Sequence, residues 1–264
     1  MGSGASRLSL RTIAGVKSDS TAVSRTTSRL LTARLTGQLQ SASTLPDAAS
    51  AYAVQAAVGE TIGWFKGGAP RYWKSGGTSR DAALTHAPLP PLGVHTSPAD
   101  LRSGHFHFRG IEAEIALRIG EPVDALRAAV ETPLVVEAMC VAIEVVDSRW
   151  DAGIEAPPLA KLADLQSHGA LVLGEWMPFV TRDWTVQCGR VEIGSIVREF
   201  RGTHALCDPA WGLTTWMRHA ASQGFLLPAG TVVTTGTWCG LLMAEPGDAV
   251  LVVFEGIGEV RVQF

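Results

Sequence analysis

The sequence predicts an α+β chain that is mainly β. Apolar or alternating runs of five to ten residues recur along it, and glycine and proline separate them. Only three stretches carry helical periodicity of any length. No internal repeat and no shift in composition forces a second unit, and 264 residues with 46% hydrophobic content suffice for a sizeable core.

Residues 1–28 are rich in Ser, Thr and Gly, with Arg7, Arg11, Lys17 and Arg25 against the single acid Asp19. They are expected to lie outside the fold, as a disordered or appended leader or an organelle transit peptide. Residues 29–264 are expected to form one domain. Ser28 is the expected cap of a first helix carrying Leu31, Leu35 and Leu39 on one stripe. A second helix starts at Asp47 and presents Ala51, Val54 and Val58. The proline-rich residues 81–110 read as a long irregular loop, a lid over a site. Further on, a helical piece is expected at 133–138, irregular chain at 151–162, and a short strand at 169–174. A hairpin follows over 184–197, turning at Gly189-Arg190. Asp208-Pro209 starts a helix that buries Leu213, Trp216, Met217 and Ala220 and ends at Gly224. Strands at 231–235, 249–254 and 259–264 complete the chain.

The net charge of −3 gives no footprint for nucleic acid, and no apolar run is long enough for a membrane span. Cys140, Cys188, Cys207 and Cys239 are scattered without a CxxC pair, as expected for reduced thiols in a cytoplasmic protein.

The chemistry concentrates in Gly110–Ile119. Strict alternation makes this a strand, so Glu112 and Glu114 share one face about 7 Å apart, and Ile111, Ala113 and Ile115 face the other way. A second strand-like run, 141–146, places Glu144 in an otherwise apolar segment. A buried carboxylate requires a cation or a proton. Three carboxylates from two strands suit a hard divalent cation, Mg²⁺ or Mn²⁺.

The wording around these glutamates resembles the 2-keto-4-pentenoate hydratase / 4-oxalocrotonate decarboxylase family of the fumarylacetoacetate hydrolase superfamily. The segments that carry the resemblance are Gly-Ile-Glu-Ala-Glu-Ile-Ala from Gly110, Ala-Ile-Glu-Val-Val-Asp-Ser-Arg from Ala142, Lys-Ser-Gly-Gly-Thr-Ser from Lys74, and Leu-Ala-Asp from Leu162 with Ser167. The resemblance implies a mixed β-sandwich or roll flanked by helices. It implies Glu112, Glu114 and Glu144 as metal ligands, Lys74 as the proton-transfer group, and Asp164 and Ser167 as catalytic residues beside the metal. Thr78, Arg149, Gly236 and Thr237 are the implied substrate contacts. The expected reaction is metal-dependent addition of water to a 2-oxo-4-enoate in aromatic catabolism. Decarboxylation of a 2-oxo-3-enedioate is the alternative, followed by acylpyruvate hydrolysis and by a non-catalytic partner subunit. A homo-oligomer, and a complex with a paralogous decarboxylase or hydratase, are the implied assemblies. Burial beside a metal is expected to lower the Lys74 pKa. Trp73 and Trp238, adjoining site residues, are expected to wall a substrate tail, and His105 and His107 are read as loop residues rather than a metal pair.

Within this pattern Leu165 stands where Asn is usual, His168 follows Ser167, and residues 82–99 contain no acid. The last departure favours the decarboxylase branch.

Overall fold

The protein was analysed as a computed structural model, which describes residues 20–66, 68–130 and 136–264. In chain order the elements are α1 (Ser20–Thr36), α2 (Ala48–Ile62), β1 (Tyr72–Gly76), β2 (Thr85–Pro88), β3 (Val94–Thr96), β4 (Ala99–Asp100), β5 (Gly110–Ile119), α3 (Ala125–Ala129) and β6 (Val136–Val146). They continue with α4 (Pro158–Ala163), β7 (His168–Leu173), β8 (Met177–Pro178), β9 (Cys188–Ile193), β10 (Ile196–Arg201), α5 (Leu213–Ser222), β11 (Val232–Thr234), β12 (Leu242–Met243), β13 (Ala249–Phe254) and β14 (Gly258–Gln263).

Among the described residues, one sheet runs β2-β1-β11-β5-β6-β7-β3, with β12 beside β5 and β8 beside β6. The second runs β10-β9-β13-β14-β4. Pairing is antiparallel except at β1–β11, β3–β7 and β14–β4. The main core lies between the sheets. Ile111, Ala113 and Ile115 of β5 and Ile143 and Val145 of β6 meet Val250, Val252 and Val260 of the smaller sheet. Burying each such Ile or Val contributes about 1.5–3 kcal/mol, so this face fixes the register of β5 and β6. By strand alternation it also fixes which way the glutamates point. The helices α1, α2 and α4 form a second core around Leu30, Val54, Val58 and Trp150.

Helix α2 is as the sequence reads. Asp47 caps it by accepting from the Ser50 backbone N–H at 2.8 Å, and Gly63 ends it at φ +79°. Helix α1 corrects the first reading. It includes residues 20–28, so Ser28 is inside it and not its cap, and Leu30 and Ala33 make its buried face. Leu35 is 77% exposed. Residues 1–19 lie outside the described residues.

The expected lid is also corrected. Residues 85–100 are strand segments that pair with β1, β7 and β14, which pins them to both sheets. The helical piece expected at 133–138 falls partly outside the described residues, and β6 already starts at Val136. The short helix before it is α3, capped by Asp124. Residues 158–163, read as irregular, form α4 with Pro158 in its first turn. The hairpin turns at Gly194, five residues later than expected. Helix α5 starts at Leu213, because Asp208 accepts from Ala210 N–H in a turn rather than capping a helix. Its buried stripe is the expected one.

Candidate active site

Glu112 of β5 lies directly opposite Glu144 of β6, and Glu114 follows two residues on along the same face. One oxygen from each of the three lies within 4.8 Å of the others. On the far side of β5, Thr234 of β11 is in register with Ala116, and Lys74 of β1 is in register with Thr234. Alternation therefore turns Lys74, Thr234, Glu112, Glu114 and Glu144 toward one face, opposite the main core.

The Lys74 Nζ donates to Glu144 Oε1 and, at 3.2 Å, to the Gln166 carbonyl. His168 Nδ1 lies 3.4 Å from the same Glu144 oxygen. Glu144 Oε2 is buried with no hydrogen-bond partner. Glu114 Oε2 accepts from the Gly236 backbone N–H at 2.9 Å. Gly236 has φ +105°, a backbone conformation that glycine adopts without strain. The turn it sits in is held by Thr235, whose hydroxyl donates to the Ile115 carbonyl, and by His204 against the Thr235 carbonyl.

Three acids against one ammonium in a buried site are not balanced. Burial first, then the charge of Glu144, pushes the Glu112 carboxyl up to about 7 and the Glu114 carboxyl up to about 8. Burial also opposes the charge on Glu144, but Lys74 and His168 outweigh it and its pKa is lowered. For Lys74 burial lowers the pKa, yet Glu144, Glu112 and Glu114 outweigh it and hold the ammonium charged. Among the protein's own groups the three carboxylates are thus stronger than desolvation; the expected fall in the Lys74 pKa belongs to the site with a cation bound. The donor set fits a hard divalent cation. It is all oxygen and converges within 4.8 Å. It also includes an unpartnered buried oxygen, Glu144 Oε2, and an excess of negative charge.

Glu112 and Glu114 open into a cavity of about 660 Å³, and Glu144 lies buried behind them. Lys74, Thr78, Ser167, Gly236 and Thr237 line it, as does Lys161, which the sequence reading missed. Opposite the glutamates runs Leu165-Gln166-Ser167, with φ of +53°, +56° and +59°. Three successive non-glycine residues in the left-handed region cost about 1–2 kcal/mol each. The bend turns the Gln166 carbonyl to Lys74 and sets Ser167, whose buried Oγ has no partner, in the cavity wall. Leu165 holds its left-handed place without the local hydrogen bonds that ease Asn there, and is buried instead.

Asp164 and Arg149 are placed differently. Asp164 is fully buried and takes Arg149 Nε at 2.7 Å, the Arg149 backbone N–H at 3.0 Å and Arg34 Nη2 at 2.9 Å. Arg149 also faces Asp147 at 3.6 Å. Arg149 is thus committed to ion pairs and lines a different cavity from the glutamates, which corrects its reading as a substrate contact. Trp238 is corrected too: it is core, packed by His204, Trp184 and Phe254. Trp73 points to the opposite face of β1 from Lys74. His107 donates from Nε2 to the Gly37 carbonyl. Among the described residues only the three glutamates gather as a possible metal group.

Fold and site together define a two-sheet α+β chain with a buried tri-carboxylate centre. The chain matches the fumarylacetoacetate (FAA) hydrolase C-terminal family over residues 79–264, and it belongs to that family. It is 26% identical over 157 residues to a 4-oxalocrotonate decarboxylase from Pseudomonas sp., a match spanning 59% of this chain and 60% of that enzyme. The solved structure of 4-oxalocrotonate decarboxylase from Pseudomonas putida G7, complexed with magnesium and adipate, superposes with a TM-score of 0.76 at 20% identity. That match covers 92% of this chain and 97% of the other. A 2-hydroxyhepta-2,4-diene-1,7-dioate isomerase from Mycobacterium marinum gives a TM-score of 0.52 at 18% identity, with 74% of each chain covered. At such identities these likenesses speak for the fold. No helix among the described residues is long and apolar enough to cross a membrane.

Proposed function

We propose that the chain is a divalent-cation-dependent decarboxylase of a 2-oxo-3-enedioate, of the 4-oxalocrotonate type. The observation that carries this reading is the content of one cavity: a tri-carboxylate centre with Lys74 at its edge, and a second cation, Lys161, in the same wall. A substrate with two carboxylates matches a cavity with two lysines. The match to a curated decarboxylase supports the same branch.

In the reaction the bond to the distal carboxylate breaks and CO₂ leaves. The electron pair passes through the carbon–carbon double bond to the 2-oxo oxygen, giving a dienolate that is then protonated. A divalent cation held by Glu112, Glu114 and Glu144 supplies Lewis acidity at the 2-oxo acid end. Lys74, kept charged by its neighbours, stabilises negative charge growing in the cavity and is the proton donor nearest the centre. Ile154, with Pro158, Leu159 and Leu162 of α4, gives the cavity apolar surface around Lys161.

The test is CO₂ release from 2-oxohex-3-enedioate with Mg²⁺, with and without chelator. Chelator-sensitive CO₂ release supports the reading, and absence of CO₂ under both conditions refutes it. A hydratase acting on 2-hydroxypenta-2,4-dienoate is the second reading. It is favoured by the free Ser167 hydroxyl in the cavity wall, a group suited to orienting water. Its product, 4-hydroxy-2-oxopentanoate, appears without CO₂.

A further inference from the structure

A second cavity, of about 420 Å³, lies between α2, α5 and the face of β1 opposite Lys74. Its volume is in the range of small-molecule sites, roughly 300–1,000 Å³. Its walls are ring faces and edges: Tyr52, Phe65, Trp73, His219 and Phe225. The rings do not stack flat on one another. Trp73 meets Phe225 at 5.6 Å and 75°, and meets His219 at 6.4 Å and 83°. A flat conjugated guest can meet such rings by offset or edge contacts. Beyond the rings, the polar groups in the lining are Gln55 and Gln223 and the charged Glu60 and Lys66, which can meet a polar substituent on a ring.

The cavity is separate from the catalytic one. No residue lines both, and the shared wall is β1, which turns Trp73 to one side and Lys74 to the other. His86 lies between the two sides. Its Nδ1 is 3.0 Å from Ser75 Oγ in the catalytic wall, and its ring stacks 4.7 Å from His219 in the aromatic wall. Burial holds the His86 pKa down to about 3 and lowers that of His219, so the two imidazoles are neutral at neutral pH; the charges in the lining are those of Glu60 and Lys66. Gly59 adds room at the back: a methyl there would stand 3.3 Å from Trp64 and 3.5 Å from Phe65.

We propose that this cavity is a second ligand site, for a flat aromatic or conjugated molecule of one or two rings, distinct from the catalytic pocket.

The test uses 2-naphthol as the flat probe and cyclohexanol as the non-planar control, by calorimetry and ligand-observed NMR on the full chain. The expected result is saturable binding of one 2-naphthol per chain, at least tenfold tighter than cyclohexanol. Ala56→Phe, which fills the cavity from an exposed position of α2, is expected to weaken 2-naphthol at least tenfold. Glu114→Gln, in the other cavity, is expected to leave it unchanged. If Ala56→Phe does not fold, Gln223→Phe fills the same space from the exposed end of α5. No saturable binding to the wild type would overturn the proposal. So would equal affinity for the two probes, loss in Glu114→Gln with retention in the filled variant, or a change of oligomeric state in the filled variant that marks the cavity as a subunit contact.

Discussion

Two buried clusters of charge lie on either side of Ser167, and they are built on opposite plans. In one, Asp147 and Asp164 face Arg34 and Arg149, two acids against two guanidiniums, joined by hydrogen bonds at 2.7–3.0 Å around Asp164. In the other, Glu112, Glu114 and Glu144 face Lys74 alone. Both clusters paid the desolvation of their charges when the chain folded. The first is balanced within the protein and ties α1, α4 and the end of β6 together. The second is balanced within the protein only by protons held on Glu112 and Glu114, and it keeps the unpartnered Glu144 Oε2, which suits it to exchange those protons for a cation. Charge balance thus separates a structural cluster from a functional one, where burial alone does not.

The contrast is broken most severely by Glu114→Gln. It removes a ligand charge but little volume, so metal affinity and turnover are expected to fall at least about 100-fold with the fold kept. Metal titration, turnover and circular dichroism check this. Asp164→Asn tests the balanced cluster. It leaves two buried guanidiniums short of a partner, and the expected cost is about 3–5 kcal/mol of stability, read as the shift in a urea midpoint. Metal affinity of the folded variant should change little, and a large loss of metal binding without loss of stability would reverse the assignments. Lys74→Ala is expected to lower turnover about 100-fold while metal affinity holds or rises, since a positive charge beside the ligands has gone.

A smaller effect follows from pH. Glu112 and Glu114 keep protons up to about 7 and about 8, whereas the unfolded chain releases them near the ordinary value of 4.5. Between those limits the metal-free folded state binds more protons than the unfolded one, so its stability falls as pH rises from about 5 to 8. A cation displaces those protons, so its affinity is expected to rise across the same window, steepest below about 7 and levelling off above about 8, by up to about tenfold per pH unit for each proton released. Calorimetry in buffers of different ionisation enthalpy reads the protons directly. The balanced cluster sets the control: the Asp164→Asn protein should show the same pH slope of metal affinity.

The functional cluster was far more legible in the sequence than the structural one, and the reason is locality. Alternation within Gly110–Ile119 gives the strand, its buried face and the shared side of Glu112 and Glu114 in ten consecutive residues. The Arg34–Asp164 pair joins positions 130 apart, and no local pattern announces it. The segment 85–100 misled for the same reason: its strands are two to four residues long and find partners far away in the chain. Gly189 read as a turn, yet it sits inside β9 because the Phe200 ring of β10 covers it; a methyl there would come 2.5 Å from that ring. His168 showed in the sequence only as an unusual neighbour of Ser167, and its approach to Glu144 needed the β6–β7 register to appear.

The account rests on the tri-carboxylate centre holding a divalent cation. Titrating Mn²⁺ into the wild type and into Glu114→Gln at pH 8 tests this most directly. One tightly bound ion per chain in the wild type and none detectable in the variant is the predicted result. Equal binding by both proteins, or none by either, would contradict it.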